Sequence, residues 1–267
     1  MLSRSSEKDS LNLVVKNNSS GTNKSFLIAS GKGGVGKTSL SVNLSVIASY
    51  LGLKTILFDG DIGMADAHAL LGLRPQRSIL DALKTKQKIE DIILTTHFGL
   101  KFISGGNGIQ ELSDLSESNL NLIEYHISKL KEQNEILVID APAGIGPVVR
   151  HLSSVTDILV IVVTPNPTSL LDSYGLIKVT CERHPDKQIQ IISNMVKSKE
   201  EGDSVFNNLN NCAKKFLKKQ LIYTGYIQND NKFQTSTIEQ KPLILTNRKS
   251  QVFNSLLNIA KNLFQKK

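Results

Sequence analysis

The segment that most constrains how this chain can fold is the glycine-rich stretch Gly-Lys-Gly-Gly-Val-Gly-Lys-Thr at residues 31–38. An apolar run at residues 26–30 precedes it, and apolar residues at helical spacing over residues 40–51 follow it. A strand, a tight glycine loop and a helix in this order direct backbone N–H groups and the amino end of a helix at one point, which suits phosphate oxygens. The stretch therefore predicts a phosphate-binding loop at the end of a buried strand.

Further short apolar runs follow the same pattern along the chain. They cover residues 55–59, 100–104, 136–140, 158–164, 188–194 and 223–227. Several are almost continuous in Ile, Leu and Val, which is typical of strands covered on both faces, and helical patterns such as residues 120–130 separate them. We predict an α/β fold over residues 25–267, with one doubly wound, mostly parallel sheet and helices on both faces. Residues 1–24 are predicted to be a flexible leader.

Composition narrows the class of protein. No apolar run approaches the roughly 18 to 20 residues that a membrane span needs, and Cys181 and Cys212 are too few and too far apart for a disulfide framework. We therefore expect a soluble protein of a reducing compartment, the cytoplasm. The formal charge of +8 indicates either an anionic partner or an ordinary solvated basic face.

The glycine-rich loop supplies most of the predicted nucleotide contacts. The predicted contacts are Gly31, Lys32, Gly33, Gly34, Val35, Gly36, Lys37, Thr38 and Ser39. Glycines let the backbone turn with positive φ and approach phosphate without a Cβ in the way. Lys37 is expected to bridge the β and γ phosphates of ATP, and the Thr38 hydroxyl to ligate Mg²⁺. ATP or ADP with Mg²⁺ is thus the expected ligand.

Polar side chains end several of the predicted strands. Asp59 and Asp61 follow the second strand, and Asp140 ends a later one. Mg²⁺ takes few protein ligands and keeps several waters, so Asp59 and Asp140 are predicted to hold the metal with Thr38, through bound water or through its other ligands, while Asp61 faces the attacking water. Helix capping or strand-end solvation is the alternative for these carboxylates. Asn194 is predicted either to contact the adenine edge or to be a buried structural residue.

These motifs together resemble those of the MinD and ParA ATPases. Residues 32–38 look like their deviant Walker A box, residues 59–61 like the Asp-x-Asp of switch I, and residues 140–144 like Walker B followed by switch II. The resemblance implies an ATP-sandwich homodimer in which Lys32 reaches the partner's nucleotide and Asp61 positions or activates water. It thus implies slow ATP hydrolysis with Lys32, Lys37 and Asp61 as catalytic residues, and it supports the adenine role of Asn194.

Downstream segments are most similar to the flagellar regulator branch called FlhG, FleN or YlxH. These segments are residues 70–73, 104–108, 194–198, 201–202 with Phe206, and 215–217. The resemblance implies an ATP-controlled dimer that limits flagellar number and place through an FlhF-like GTPase, a switch-complex protein or a transcription activator. Three differences stand against full transfer: Asp66 and His68 replace the family's usual residues, residues 227–230 lack the family's proline, and the leader lacks the segment by which some relatives stimulate the GTPase.

Several alternatives remain open on the sequence alone. A ParA-like module that binds nonspecific DNA would use the net charge and the lysines at positions 214, 215, 218 and 219. Division-site selection of the MinD kind shares all the nucleotide chemistry, whereas isolated cysteines argue against an iron-sulfur carrier. The apolar stripe over residues 252–264 is interpreted either as the final core helix or as an amphipathic helix that contacts the inner face of the membrane.

Overall fold

The structure, a computed structural model, describes residues 23–62, 64–85, 88–106, 117–246 and 250–264. Strands within these residues form one eight-stranded sheet in the order β3-β4-β2-β5-β1-β6-β7-β8. The strands are β1 (Lys24–Ala29), β2 (Thr55–Asp59), β3 (Leu94–Thr95), β4 (Lys101–Ile103), β5 (Ile136–Asp140), β6 (Ile158–Val163), β7 (Gln188–Val196) and β8 (Ile222–Gln228). Residues 1–22 of the predicted leader and residues 107–108 of the flagellar-branch segments lie outside the described residues.

The sheet confirms the predicted fold class. Its strand pairs are parallel except β3 with β4, and each apolar run of the sequence forms a strand. The short β3 was not predicted, because two residues are too few to carry an alternating or continuous apolar pattern. β7 also extends beyond Asn194 to Val196, and Met195 in this extension has a positive φ of 57°.

Helices connect the strands and lie on both faces of the sheet. They are α1 (Lys37–Tyr50), α2 (Ala67–Leu70), α3 (Ile79–Thr85), α4 (Glu117–Gln133), α5 (Pro147–Val155), α6 (Pro167–Arg183), α7 (Lys199–Cys212), α8 (Lys232–Ile238), α9 (Leu243–Thr246) and α10 (Gln251–Phe264). A 3₁₀ turn covers Ile89–Ile92, and a π-helical turn, Ala213–Leu217, continues α7. Residues of α1 and α10 pack on one face, and residues of α4 to α7 pack on the other.

The helix α10 belongs to the core. Its apolar stripe, which includes Val252, Leu256 and Ile259, is buried, and the Phe264 ring meets Phe26 of β1 edge-on at 5.4 Å. Burial of each such side chain stabilises the fold by roughly 1.5–3 kcal/mol. In this structure the stripe therefore packs in the core, as the first of the two interpretations has it. Across the described ranges, no helix has the length and apolarity required to span a bilayer.

Candidate nucleotide-binding site

The glycine-rich loop connects β1 to α1 at the carboxyl edge of the parallel strands. Gly34 and Gly36 adopt positive φ angles of 75° and 89°, a region that favours glycine. The helix begins directly after Gly36, whose carbonyl oxygen accepts a hydrogen bond of 3.1 Å from Leu40 N–H. The loop thus has the strand-loop-helix context that makes a phosphate cradle of backbone amides.

Gly31 lies where the loop passes close to helix α6. A Cβ added to Gly31 would be 2.2 Å from the carbonyl carbon of Asp172, whereas the atom nearest to a Cβ added to Gly33 would be Ala143 Cβ, at 4.0 Å. The backbone of α6 cannot move aside without moving the whole helix. Gly31 is therefore required by packing between two elements, independently of any ligand.

We expect the Gly31→Ala substitution to destabilise the protein by about 1–3 kcal/mol, the usual cost of overpacking. Gly33→Ala is the matched control in the same loop, and it should change the free energy of unfolding by less than about 1 kcal/mol, because its methyl group meets open space. Urea denaturation without nucleotide measures both values. Equal stability of the two variants would contradict the close approach of the loop to α6.

Lys37 and Asp140 lie at the centre of the site and are both buried. The Ser41 hydroxyl lies 2.8 Å from Asp140 Oδ1 and 3.0 Å from the Lys37 carbonyl oxygen, and its single proton can serve one of them at a time. The Thr38 hydroxyl also donates to Asp140. These contacts bring the first turn of α1 against the end of β5, as the sequence predicted for Lys37, Thr38 and Asp140. Ser41 was missed, because a serine one turn into a helix carries no motif.

The two buried carboxylates, Asp59 and Asp140, end neighbouring strands in register. Asp59 accepts hydrogen bonds from Asp61 N–H at 3.2 Å and from Ala67 N–H at 3.0 Å. Burial raises the pKa of the Asp59 carboxyl well above its usual value, and the charge of Asp140 raises it further. Burial raises the pKa of Asp140 to about 6, opposed by the Thr38 hydrogen bond and the Lys37 charge.

These pKa directions bear on metal binding. Two carboxyls that are buried side by side keep their protons longer than exposed ones, and a divalent cation would favour their ionised forms and displace any proton still bound. At pH 7 the Asp140 carboxyl, with a pKa of about 6, is mostly ionised. The donor set of two carboxylates and the Thr38 hydroxyl contains only the oxygen ligands that Mg²⁺ prefers. The residues present therefore fit the predicted magnesium ion.

Asp61 and Lys32 lie at the open side of the site. Asp61 is half-buried, and its carboxylate makes no hydrogen bond or ion pair with any other residue in the described ranges. The Lys32 ammonium donates to Thr168 Oγ1 at 2.8 Å, and that hydroxyl donates in turn to Asn166 Oδ1, the amino-terminal cap of α6. Lys32 thus contacts a residue of its own chain, and no sequence pattern predicted this contact.

Asn194 is buried and contacts the loop itself. Its Nδ2 donates to the Val35 carbonyl oxygen at 2.7 Å, and a Cβ on Gly36 would come within 2.6 Å of the same nitrogen. The amide therefore fixes the position of the glycine-rich loop, which is the structural interpretation given for it. A contact between Asn194 and adenine stays a prediction.

A cavity of about 550 Å³ opens beside the loop, within the range typical of small-molecule sites. It is lined by Lys32, Gly33, Gly34, Val35, Thr164, Pro165, Asn166, Met195, Lys197 and Glu201. Glu201 is held at its rim by the Lys197 N–H, which donates to Glu201 Oε2 at 2.6 Å. The residues that follow β6 and β7 were not predicted to line this cavity, because only the strand order of the sheet brings them beside the loop.

A phosphate loop with two lysines and buried carboxylates at neighbouring strand ends define a P-loop NTPase. Residues 21–264 match the ParA family model, described as "NUBPL iron-transfer P-loop NTPase". The chain belongs to the ParA/MinD family of P-loop NTPases.

Three known proteins illustrate the similarity. The chain is 32% identical to the antiactivator FleN of Pseudomonas aeruginosa over 80% of this chain and 76% of that protein. It is also 32% identical to the flagellum site-determining protein YlxH of Helicobacter pylori, over 84% of this chain and 76% of that protein. The solved structure of the septum site-determining protein MinD of Pyrococcus horikoshii, complexed with Mg-ADP, aligns with a TM-score of 0.76 and 23% identity, covering 90% of this chain and 95% of that one.

Proposed function

We propose that this protein is an ATPase switch that dimerises around Mg-ATP and controls the number or placement of flagella through partner binding. The observation that carries the nucleotide half is the contact between the first turn of α1 and the end of β5. There Lys37 and Thr38 lie beside the buried Asp140 at the mouth of a glycine-rich loop. A buried cation, a hydroxyl and a carboxylate at this point suit a metal-bound triphosphate and no apolar ligand.

The residues divide the work of phosphoryl transfer between them. The loop amides and Lys37 hold the phosphates, and Thr38, Asp59 and Asp140 hold the metal. Bound Mg²⁺ would neutralise charge on the transferred phosphoryl group. Asp61 is free to orient the attacking water, because its carboxylate is not engaged by other described residues. ATP would be converted to ADP and phosphate, slowly, as suits a switch with a persistent bound state.

Exposed apolar side chains around the site support the dimer. Met64 and Leu171 are 72% and 71% exposed, and Ile145 and Met195 are each 42% exposed. Met64 and Ile145 follow β2 and β5, Leu171 lies in α6 after β6, and Met195 lies near the carboxyl end of β7, so all four lie at the edge of the sheet that carries the glycine-rich loop. Exposed apolar groups that gather around a charged site mark a surface for a partner, here a second copy of the chain.

The flagellar role rests on the two relatives at 32% identity, FleN and YlxH, whose names refer to antiactivation and to flagellar site determination. A flagellar GTPase, a switch-complex protein or a transcription activator is the proposed partner class. The positions of the lysines that would bind DNA give the DNA-binding alternative less support. Its lysines at 214, 215, 218 and 219 follow α7 and precede β8, so they lie at the opposite edge of the sheet from the nucleotide site.

Analytical ultracentrifugation tests the dimer. The wild type is expected to be monomeric with Mg-ADP and dimeric with Mg-ATP, and Lys32→Ala to remain monomeric with either, because the partner's phosphates would lose a cation. Lys178→Ala, an exposed lysine on α6, is the matched control and should dimerise normally. Monomeric wild type with Mg-ATP, or dimerisation of Lys32→Ala at wild-type concentrations, would contradict the proposal.

A further inference from the structure

A second cavity, of about 480 Å³, is lined by residues that follow β2 and β4 and by Gln240. It is lined by His68, Ala69, Gly72, Leu73, Arg74, Pro75, Gln76, Arg77, Ser78, Asp81, Ser104, Gly106 and Gln240. None of these residues lines the cavity beside the loop. Its volume lies within the range of small-molecule sites, so it requires an explanation of its own.

The charges that line this cavity favour an anion. Arg74 and Arg77 supply two positive charges against the single carboxylate of Asp81. That carboxylate is engaged locally, since Asp81 Oδ2 accepts Ser78 N–H at 2.7 Å and the Ser78 hydroxyl at 2.9 Å. Arg74 is exposed and has no hydrogen bond or ion pair within the described ranges. A guanidinium in a concave site binds carboxylate or phosphate with paired N–H groups.

The walls of the cavity depend on backbone that only glycine adopts easily. Gly106 has a φ of 108°, and a Cβ there would lie 2.8 Å from Leu80 Cδ1. Gly72 has a φ of 63° and faces the Gln240 carbonyl oxygen. His68 contributes a buried Nδ1 atom with no hydrogen-bond partner among the described residues.

The same walls contact Asp59 of the nucleotide site. Helix α2, which carries His68, begins at Ala67, whose N–H donates to Asp59 Oδ2 at 3.0 Å. Gly105, between the wall residues Ser104 and Gly106, lies so close to Asp59 that an added Cβ would be 2.5 Å from the Asp59 carbonyl oxygen. A ligand that shifts α2 or this turn would therefore shift Asp59 as well.

We propose that this cavity binds a small anion bearing phosphate or carboxylate groups, and that its occupancy changes the nucleotide affinity of the neighbouring site. The coupling half rests on the proposed nucleotide binding, while the anion site does not. Coupling of this kind is reciprocal, so bound nucleotide would change the anion affinity by the same factor.

Equilibrium dialysis with labelled inorganic phosphate and, separately, labelled succinate tests the anion site. Saturating Mg-ADP fills the α- and β-phosphate positions of the glycine-rich loop, and the Arg74 variants distinguish the second cavity from the open γ-phosphate position. The wild type should bind one of the two probes with one site per chain, and the arm that binds identifies phosphate or carboxylate as the group recognised. Arg74→Ala should weaken binding at least about tenfold, the loss of one charge-assisted hydrogen bond, and Arg74→Glu should abolish it. Arg183→Ala, an exposed arginine at the end of α6, should bind as the wild type does.

Absence of binding in both arms, or equal binding by the wild type and Arg74→Glu, would overturn the anion site. The coupling is measured as the dissociation constant of Mg-ADP with and without the bound probe, which should differ at least about threefold in the wild type and not in Arg74→Ala. An unchanged constant in the wild type would overturn the coupling. If Mg-ADP does not bind at all, the proposed function fails. The anion site is then decided by dialysis of the probe with Lys37→Ala and with the Lys37→Ala, Arg74→Ala double variant, and only the first should bind it.

Discussion

The Lys37→Ala protein is expected to bind Mg-ATP at least about 100-fold more weakly than the wild type. Lys37 is buried beside Asp140, and its charge lowers the pKa of that carboxyl. Hydrogen bonds to charged groups contribute about 1.5–3 kcal/mol each, so the loss of one bond to each of two phosphates costs about 3 kcal/mol or more, a factor of about 100 in affinity. The loss of the cation also leaves Asp140 to repel the triphosphate. Isothermal titration calorimetry measures the difference directly.

The control for this prediction is Lys54→Ala, which removes an exposed lysine just before β2, at the opposite edge of the sheet. It should bind Mg-ATP with wild-type affinity. Circular dichroism should show wild-type helix content in both variants, so that a loss of binding reports the site and not the fold. Wild-type affinity in Lys37→Ala would refute the assignment of the glycine-rich loop as the triphosphate site.

The Asp61→Ala protein should lose at least about 100-fold in ATP turnover while it keeps its affinity for Mg-ATP. A positioned acid-base group contributes typically 10²–10⁴-fold to a rate. The half-buried Asp61 carboxylate makes no hydrogen bond to other described residues, so its removal should cost little stability. Because hydrolysis would release the dimer, the variant should remain dimeric with Mg-ATP long after the wild type has dissociated. Phosphate release and ultracentrifugation over time measure the two effects.

Asp66→Ala is the matched control, since Asp66 is an exposed carboxylate in the same segment and makes no side-chain cap of α2. The charge of Asp66 is a minor cause of the raised pKa values of Asp59 and Asp140. We therefore expect its removal to change turnover only slightly. Turnover by Asp61→Ala within tenfold of the wild type, or a dimer that dissociates as fast as the wild-type dimer, would remove Asp61 from the proposed role.

The residues 59–68 also show why turnover is harder to anticipate than binding. Asp66 and His68 stand where the resemblance implied other residues, and the structure places them on different surfaces. Asp66 is exposed at the start of α2, whereas His68 lines the second cavity with a buried Nδ1.

The sequence alone determined the class of the fold and the centre of the site. Continuous apolar runs are strands because a sheet covered on both faces requires them, and a glycine loop between strand and helix has few other uses. Lys37, Thr38, Asp59 and Asp140 were predicted because each lies at a strand end or helix start, and strand ends of a parallel sheet share one edge. These are local patterns, and they need no knowledge of which strand neighbours which.

Tertiary structure decided the contacts between segments that are distant in sequence. Lys32 rests on Thr168, Asn194 holds the Val35 carbonyl, and Gly31 passes against Asp172. Arg74 and Ser104 line the same cavity, which no sequence motif indicates. Such contacts depend on the strand order and on how closely helices pack on the sheet, since each local pattern is compatible with many partners. The local patterns of the chain therefore specified the glycine-rich loop and the strand-end carboxylates, and packing specified what surrounds them.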